Sequence, residues 1–205
     1  RSRPDPVLKR ILSAAVRANW TELRPALAAL SREAGFLRAH ALEMLARLDG
    51  KLSQELVATL LTDGDARLRT IASRHASSDE NLVMAASLVA TDPAASVRSA
   101  AAIALVEHHG IEAFEEIRPA FSDTDADVNV AVATAIGGLG PVVIESLLHL
   151  FEAGTFAEAR TAALALAQID PAGQAALVRL ADGADDERKR RLASFAMGRL
   201  EAHSH

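Results

Sequence analysis

The stretch DPAASVRSAAAIALVEHHG, Asp92 to Gly110, decides how this chain is read. It opens on Asp-Pro, which suits a helix start: Asp accepts orphan N–H groups and Pro fits the first helical turn. Six residues after the Asp stands Arg98, preceded by Val97. Small and apolar residues follow at offsets of three, six and seven from the Arg, at Ala101, Ala104 and Leu105. Those offsets share one helical face, and residues this small let a second helix come close. The run ends at His108-His109-Gly110, where His complements the helix dipole and Gly permits a left-handed stop.

The same pattern recurs along the chain. Arg38 is followed by Ala41, Met44 and Leu45, and Arg69 by Ala72, His75 and Ala76. Asn129 replaces the Arg in one copy, with Val132, Ala135 and Ile136 after it. Arg160 precedes Ala163, Leu166 and Ala167; Arg190 precedes Ala193, Ala196 and Met197. A weaker first copy starts at Lys9, with Leu12, Ala15 and Val16. The anchors 9, 38, 69, 98, 129, 160 and 190 are spaced 29, 31, 29, 31, 31 and 30 residues apart, a fixed period over the whole chain.

Each copy reads as two helices. The second is an apolar-periodic segment such as 53–61 or 144–151, and the joints carry stop and start signals: Asp49-Gly50, Asp63-Gly64-Asp65, Asp123-Thr124-Asp125, Gly140-Pro141, Asp170-Pro171 and Asp182-Gly183. No segment alternates with period two for long enough to be a strand, so the expected class is all-α. Pro25 and Pro119 fall inside second helices, where proline bends or stops a helix. Trp20 is expected to cover the open end of the array.

Composition agrees with closely packed helices and removes several function classes. Of 205 residues, 50% are hydrophobic but only 3% aromatic, with one Trp and no Tyr, so the core is aliphatic. There is no Cys, which excludes disulfides, thiolate metal sites and a cysteine nucleophile. A net charge of -5 argues against a general nucleic-acid footprint. The longest uncharged run, Val128 to Ile144, is shorter than the ~20 residues of a membrane helix and contains Gly137, Gly138, Gly140 and Pro141. We expect no direct membrane insertion and a cytoplasmic location. A start at Arg1 without Met or signal pattern suggests a single repeat domain, 1–205, within a longer chain.

The arrangement of Asp, six residues, Val-Arg and then small residues resembles the HEAT repeat, especially the short bacterial, phycobilin-lyase-type form of about 30 residues. Asp63/Arg69 and Asp92/Arg98 carry the pattern in full, and Asp123/Asn129 carries it with the Arg replaced. Gly154 and Ala184 stand where the Asp would precede Arg160 and Arg190. The resemblance implies an α-solenoid: a right-handed superhelix of about six helix-turn-helix repeats and a final capping helix. It also implies a hydrogen-bonded Asp–Arg ladder between neighbouring repeats, drawn from Asp63, Arg69, Asp92, Arg98, Asp123, Asn129, Arg160 and Arg190, with local curvature changing at Asn129. The second helices would then line a concave face.

Catalytic candidates are thin. His108 and His109 point about 100° apart on a helix and hold one metal ion poorly, so neither a metal nor a cofactor is expected. Glu115 and Glu116 diverge in the same way, and His75 sits at a core-facing offset. The Ser residues lack a nucleophile elbow, and Gly137-Gly138-Leu139-Gly140 belongs to a helix end instead of a phosphate loop. The run Asp185-Asp186-Glu187-Arg188-Lys189-Arg190-Arg191 reads as a solvated terminal cap whose acidic residues offset its basic ones, and His203-Ser204-His205 as a fraying tail.

What remains is surface. Counting back from the next anchor, positions eight, nine and twelve earlier are apolar and assigned to the core: Leu61, Leu60 and Val57; Ala90, Val89 and Ala86; Phe121, Ala120 and Ile117. The positions beside them form an expected partner-binding stripe: Gln54, Glu55, Met84, Ser87, Glu115, Arg118, Glu145, His149 and Arg179. An exposed Met84 suits adaptable contact with a peptide or helix. Second helices at ~10 Å spacing give a groove about 50 Å long. The expected function is a non-enzymatic scaffold for a protein or peptide partner, or for another domain of the same chain. The alternatives from the resemblance are a lyase-like subunit acting on a bound chromophore and a regulatory domain of a membrane-associated protein. A HEAT-like DNA glycosylase fits poorly, because the chain is acidic and has a single Trp.

Overall fold

The computed structural model describes residues 6, 10, 13, 14, 17, 20–33, 35, 37–183 and 186–203, with backbone alone for 198–203. The copy anchored at Lys9, with Leu12, Ala15 and Val16, lies outside the described residues, as do Ala184, Asp185 and the Ser204-His205 tail. The chain divides into two compact units, Arg1–Asn81 and Leu82–His205. All regular structure among the described residues is helical.

In the first unit a short 3-10 turn, Thr21–Leu23, leads into α1 (Arg24–Arg32), followed by α2 (Leu37–Asp49), α3 (Gln54–Leu61) and α4 (Ala66–His75). α1 packs on α2 and α3 on α4, with α2 beside α4. Leu27, Ala41, Met44 and Leu45 form a core there, with Leu23, Leu30 and Leu48 at its edge. Two expectations change. Pro25 sits in the first turn of α1, where its missing N–H removes no helical bond, so it starts the helix and does not bend it. Trp20 is 58% exposed and covers little of its surroundings.

α5 (Asp79–Thr91) spans the division between the units. The second unit continues with α6 (Ala95–His109), α7 (Phe114–Phe121), α8 (Ala126–Gly137), α9 (Ile144–Ala153), α10 (Phe156–Leu166), α11 (Ala172–Gly183) and α12 (Glu187–His203). Helices α6, α8, α10 and α12 pack in a row, and α7, α9 and α11 each lie against the next helix of that row. The row is close because its facing side chains are small: Ala101 and Ala102 in α6 and Ala159, Ala162, Ala163 and Ala165 in α10 are fully buried. At Gly137 a Cβ would stand 2.9 Å from the Ala165 carbonyl oxygen, so α8 meets α10 through bare backbone. Ile117, Phe121, Leu147 and Phe151 supply bulk from the second helices.

The joints follow one recipe. Asp63, Asp92 and Asp123 each accept, through Oδ1, the N–H two residues on, from Asp65, Ala94 and Asp125 at 2.9, 2.9 and 2.8 Å. Asp65 and Asp125 then cap α4 and α8 by accepting from the Arg67 and Asp127 N–H groups. Thr155 opens α10 with a capping box to Glu158. Gly140, at φ 76, turns the uncharged stretch by 117° after α8. No single helix among the described residues is long and apolar enough to cross a membrane. Pro119 lies inside α7, which ends two residues later.

The face of α5 differs from the expected one. Its buried apolar residues are Leu82, Ala85 and Val89, while Ala90 is exposed and Ala86 half-buried. The last buried residue stands nine positions before the next anchor, as Phe151 does in α9, whereas Leu61 and Phe121 stand eight before theirs. One position rotates a helix by about 100°. Met84 is therefore half-buried instead of exposed, and Val83, at 72% exposure, takes the outward place.

Candidate functional site

Two sets of polar residues define the surface chemistry: the anchors with their Asp partners, and the outward side chains of the second helices. Arg98, near the start of α6, donates from Nε and Nη2 to both carboxylate oxygens of Asp123 at 2.6 and 2.8 Å. Its Nη1 donates to the Asp92 carbonyl at 2.8 Å, so one guanidinium ties its own joint to the next. Arg38 makes the corresponding bond to Asp63 at 2.8 Å, and Arg69 donates to the Asp63 carbonyl at 2.7 Å.

The pattern changes at Asn129. This side chain is 1% exposed, and its Nδ2 donates to the Asp123 and Asp125 carbonyls at 2.9 and 2.8 Å. Its Oδ1 accepts from the buried Thr161 hydroxyl at 3.0 Å and from Arg160 Nη2 at 3.3 Å. Gly154 offers no carboxylate here, so the Arg and its Asp are lost together and a neutral pair closes the gap. The nearest charge pair is of another kind: Arg118 of α7 donates from Nε to Glu158 of α10 at 2.9 Å.

These contacts set the acid response. The Arg98 guanidinium holds the Asp123 carboxyl below its ordinary range, and Arg67 does the same for Asp65. Burial alone would raise Glu158, but hydrogen bonds from Arg118 and Thr155 outweigh it and leave the group lowered. A carboxyl with a depressed folded pKa stabilises the fold above its unfolded value of about 4, and that stabilisation is lost as pH falls through the folded value. His75 is lowered by burial and then by Arg74, so it also favours the fold above its unfolded pKa of about 6.5. We expect the urea midpoint to begin falling as pH drops below about 6.5, and to fall again more steeply below about pH 4. His75→Gln should flatten the first step and leave the second. An unchanged first step in that variant would remove the His75 assignment.

The outward residues behave unequally. Gln54 is engaged within its own unit: it donates to the His75 carbonyl at 3.0 Å and accepts from the N–H groups of Ser77 and Ser78 and from Asn81. It staples the joint between α4 and α5, and its amide has little left for a partner. Glu55 is exposed on α3. In the second unit Ser87, Glu115, Arg118, Glu145, His149 and Arg179 are all exposed on α5, α7, α9 and α11. Glu115 lies 3.7 Å from Arg118, while Glu116 lies 3.6 Å from His109, so the adjacent carboxylates turn to different partners. Among the described residues no group of three or more His, Asp or Glu is placed to hold a metal ion.

Sequence reasoning missed two hollows in the second unit. One, of about 270 Å³, lies between α9 and α11, with Leu148, Glu152 and Leu180 beside Arg179. The other, of about 240 Å³, lies on the row of first helices and includes Val130, Arg160 and Phe195. Its signal was present: Val130 and Phe195 are bulky apolar residues one and five positions after an anchor, where Ser99 and Arg74 stand in other copies. The terminal basic run is engaged in part, since Lys189 Nζ donates to the Glu152 carbonyl at 2.5 Å near the end of α9, and Arg191 pairs with Glu187.

No curated protein matches the chain. Residues 83–167, from α5 to the end of α10, match the family model for HEAT repeats. That segment carries HEAT repeats, and with paired helices at a period of 29 to 31 residues on both sides of it the chain is an all-α solenoid.

Proposed function

We propose that the chain is a non-enzymatic scaffold whose second unit holds a protein segment across α7, α9 and α11. HEAT repeats commonly serve as protein-interaction scaffolds and are typically non-enzymatic. The observation that carries the reading is the row of exposed side chains of mixed charge, Glu115, Arg118, Glu145, His149 and Arg179, beside the hollow between α9 and α11. A partner side chain enters that hollow over Leu148 and Leu180 while Arg179 and Glu152 hold its polar flank. Charges at the rim set orientation and association rate more than affinity.

The test is affinity capture with the full chain and with a Glu115→Lys/His149→Ala/Arg179→Ala variant of equal helicity. A protein retained by the native chain and lost by the variant supports the site. Equal retention moves the site off this face, and no retained protein counts against the scaffold.

A further inference from the structure

The cleft on α8, α10 and α12 lies on the opposite helices of each pair from the surface proposed above and stands independently of it. α10 packs between α8 and α12 and contributes the small Ala163 together with Leu164. Val130 of α8 and Phe195 of α12 form the walls and are 48% and 62% exposed, a large apolar surface to leave in water. One charged group lines this cleft: Arg160.

Arg160 occupies the anchor position that Arg98 occupies in its own copy. Arg98 grips a carboxylate with two nitrogens, but the matching place ahead of Arg160 is held in sequence by Ala184. The only hydrogen bond of the Arg160 side chain among the described residues is the long one to Asn129 Oδ1, at 3.3 Å. A guanidinium carries five N–H donors and binds carboxylates best in paired fashion.

We propose that this cleft binds a peptide segment of a partner protein bearing an Asp beside a bulky aliphatic residue. The Asp carboxylate takes both arms of the Arg160 guanidinium, as Asp123 takes those of Arg98. The aliphatic side chain settles over Ala163 between Val130 and Phe195. The chain thus supplies the template for its own ligand: the contact it makes internally at Arg98 is offered outward at Arg160.

The experiment is fluorescence polarisation of the full chain with short, C-terminally amidated fluorescein peptides carrying one Asp and one Leu, adjacent or a few residues apart, and with their Asn counterparts. Saturable binding of an Asp peptide is expected, weakened about tenfold by Asn, by Arg160→Gln and by Phe195→Ser. Both positions are exposed, so melting by circular dichroism should match the native chain. The Glu115→Lys/His149→Ala/Arg179→Ala variant should bind like the native chain, which separates this site from the second-helix face. Several results overturn the proposal: polarisation that never saturates, equal binding of Asn peptides, or insensitivity to Arg160→Gln. Binding gained only in Asp185→Ala would show that the chain fills the cleft itself. Dimers dissolved by Phe195→Ser, without peptide binding, would assign the cleft to self-association.

Discussion

Phe121→Ala is expected to lower the stability of the second unit by about 4 kcal/mol, the cost of emptying a fully buried aromatic site. Phe121 ends α7 with no exposed surface, and its ring lies 5.4 Å from that of Phe114, tilted by 44°. Its neighbours are backbone-close helices lined by alanine, which have few long side chains able to swing into a void. The Phe121 carbonyl also accepts the Thr161 hydroxyl at 2.8 Å, so collapse of α7 around the cavity would strain a buried bond to α10. Phe121→Leu keeps most of the volume and should cost only about 1 kcal/mol. Urea unfolding followed by circular dichroism reads both. A loss below about 1 kcal/mol for the alanine variant would mean that α7 is not held by its apolar face.

Asp123→Ala is expected to cost about 3 kcal/mol, more than an ion pair on open surface. The Asp123 and Arg98 side chains are 6% and 13% exposed, and Asp123 also accepts the Asp125 N–H that shapes the turn into α8. Removing the carboxylate leaves a largely enclosed guanidinium without its anion and an open turn together. Arg98→Ala/Asp123→Ala should then lose clearly less than the sum of the two single variants, because each single variant strands one charge. Strict additivity would show that the two side chains act separately. Asp123→Ala should also shallow the loss of stability below about pH 4, since this carboxyl is among those held low by an Arg.

The helical pairs were legible because three levels agree. Period, cap residues and the face of small residues place the same boundaries, as at Asp123-Thr124-Asp125 before α8. The face of α5 was not, since it depends on whether eight or nine residues separate the last buried side chain from the anchor. That count is settled by how the joint packs, and no residue in Leu88 to Pro93 announces it. Gln54 read as an outward polar residue because its partners, at Ser77, Ser78 and Asn81, lie a full helix away. The Arg118–Glu158 pair joins residues forty positions apart, beyond any local pattern. The cleft at Phe195 lies on the first helices, whereas the family resemblance implies a binding face on the second.

The break at Asn129 and Gly154 gives the copies an order in which they are able to be shuffled. At Arg38 and Arg98 a guanidinium meets a carboxylate of the joint that follows, and at Asn129 neutral meets neutral, whereas Arg160 is followed by Ala184. Excising residues 123–153 would set Gly154 after Arg98 and strand a cation, while repeating that segment would set a second Asp123 after Asn129 and strand an anion. Excising residues 154–183 would instead set Ala184 after Asn129, a neutral junction on both sides. Editing the length of this chain therefore keeps charges matched at some seams and strands one at others, and the charge written at each anchor says which.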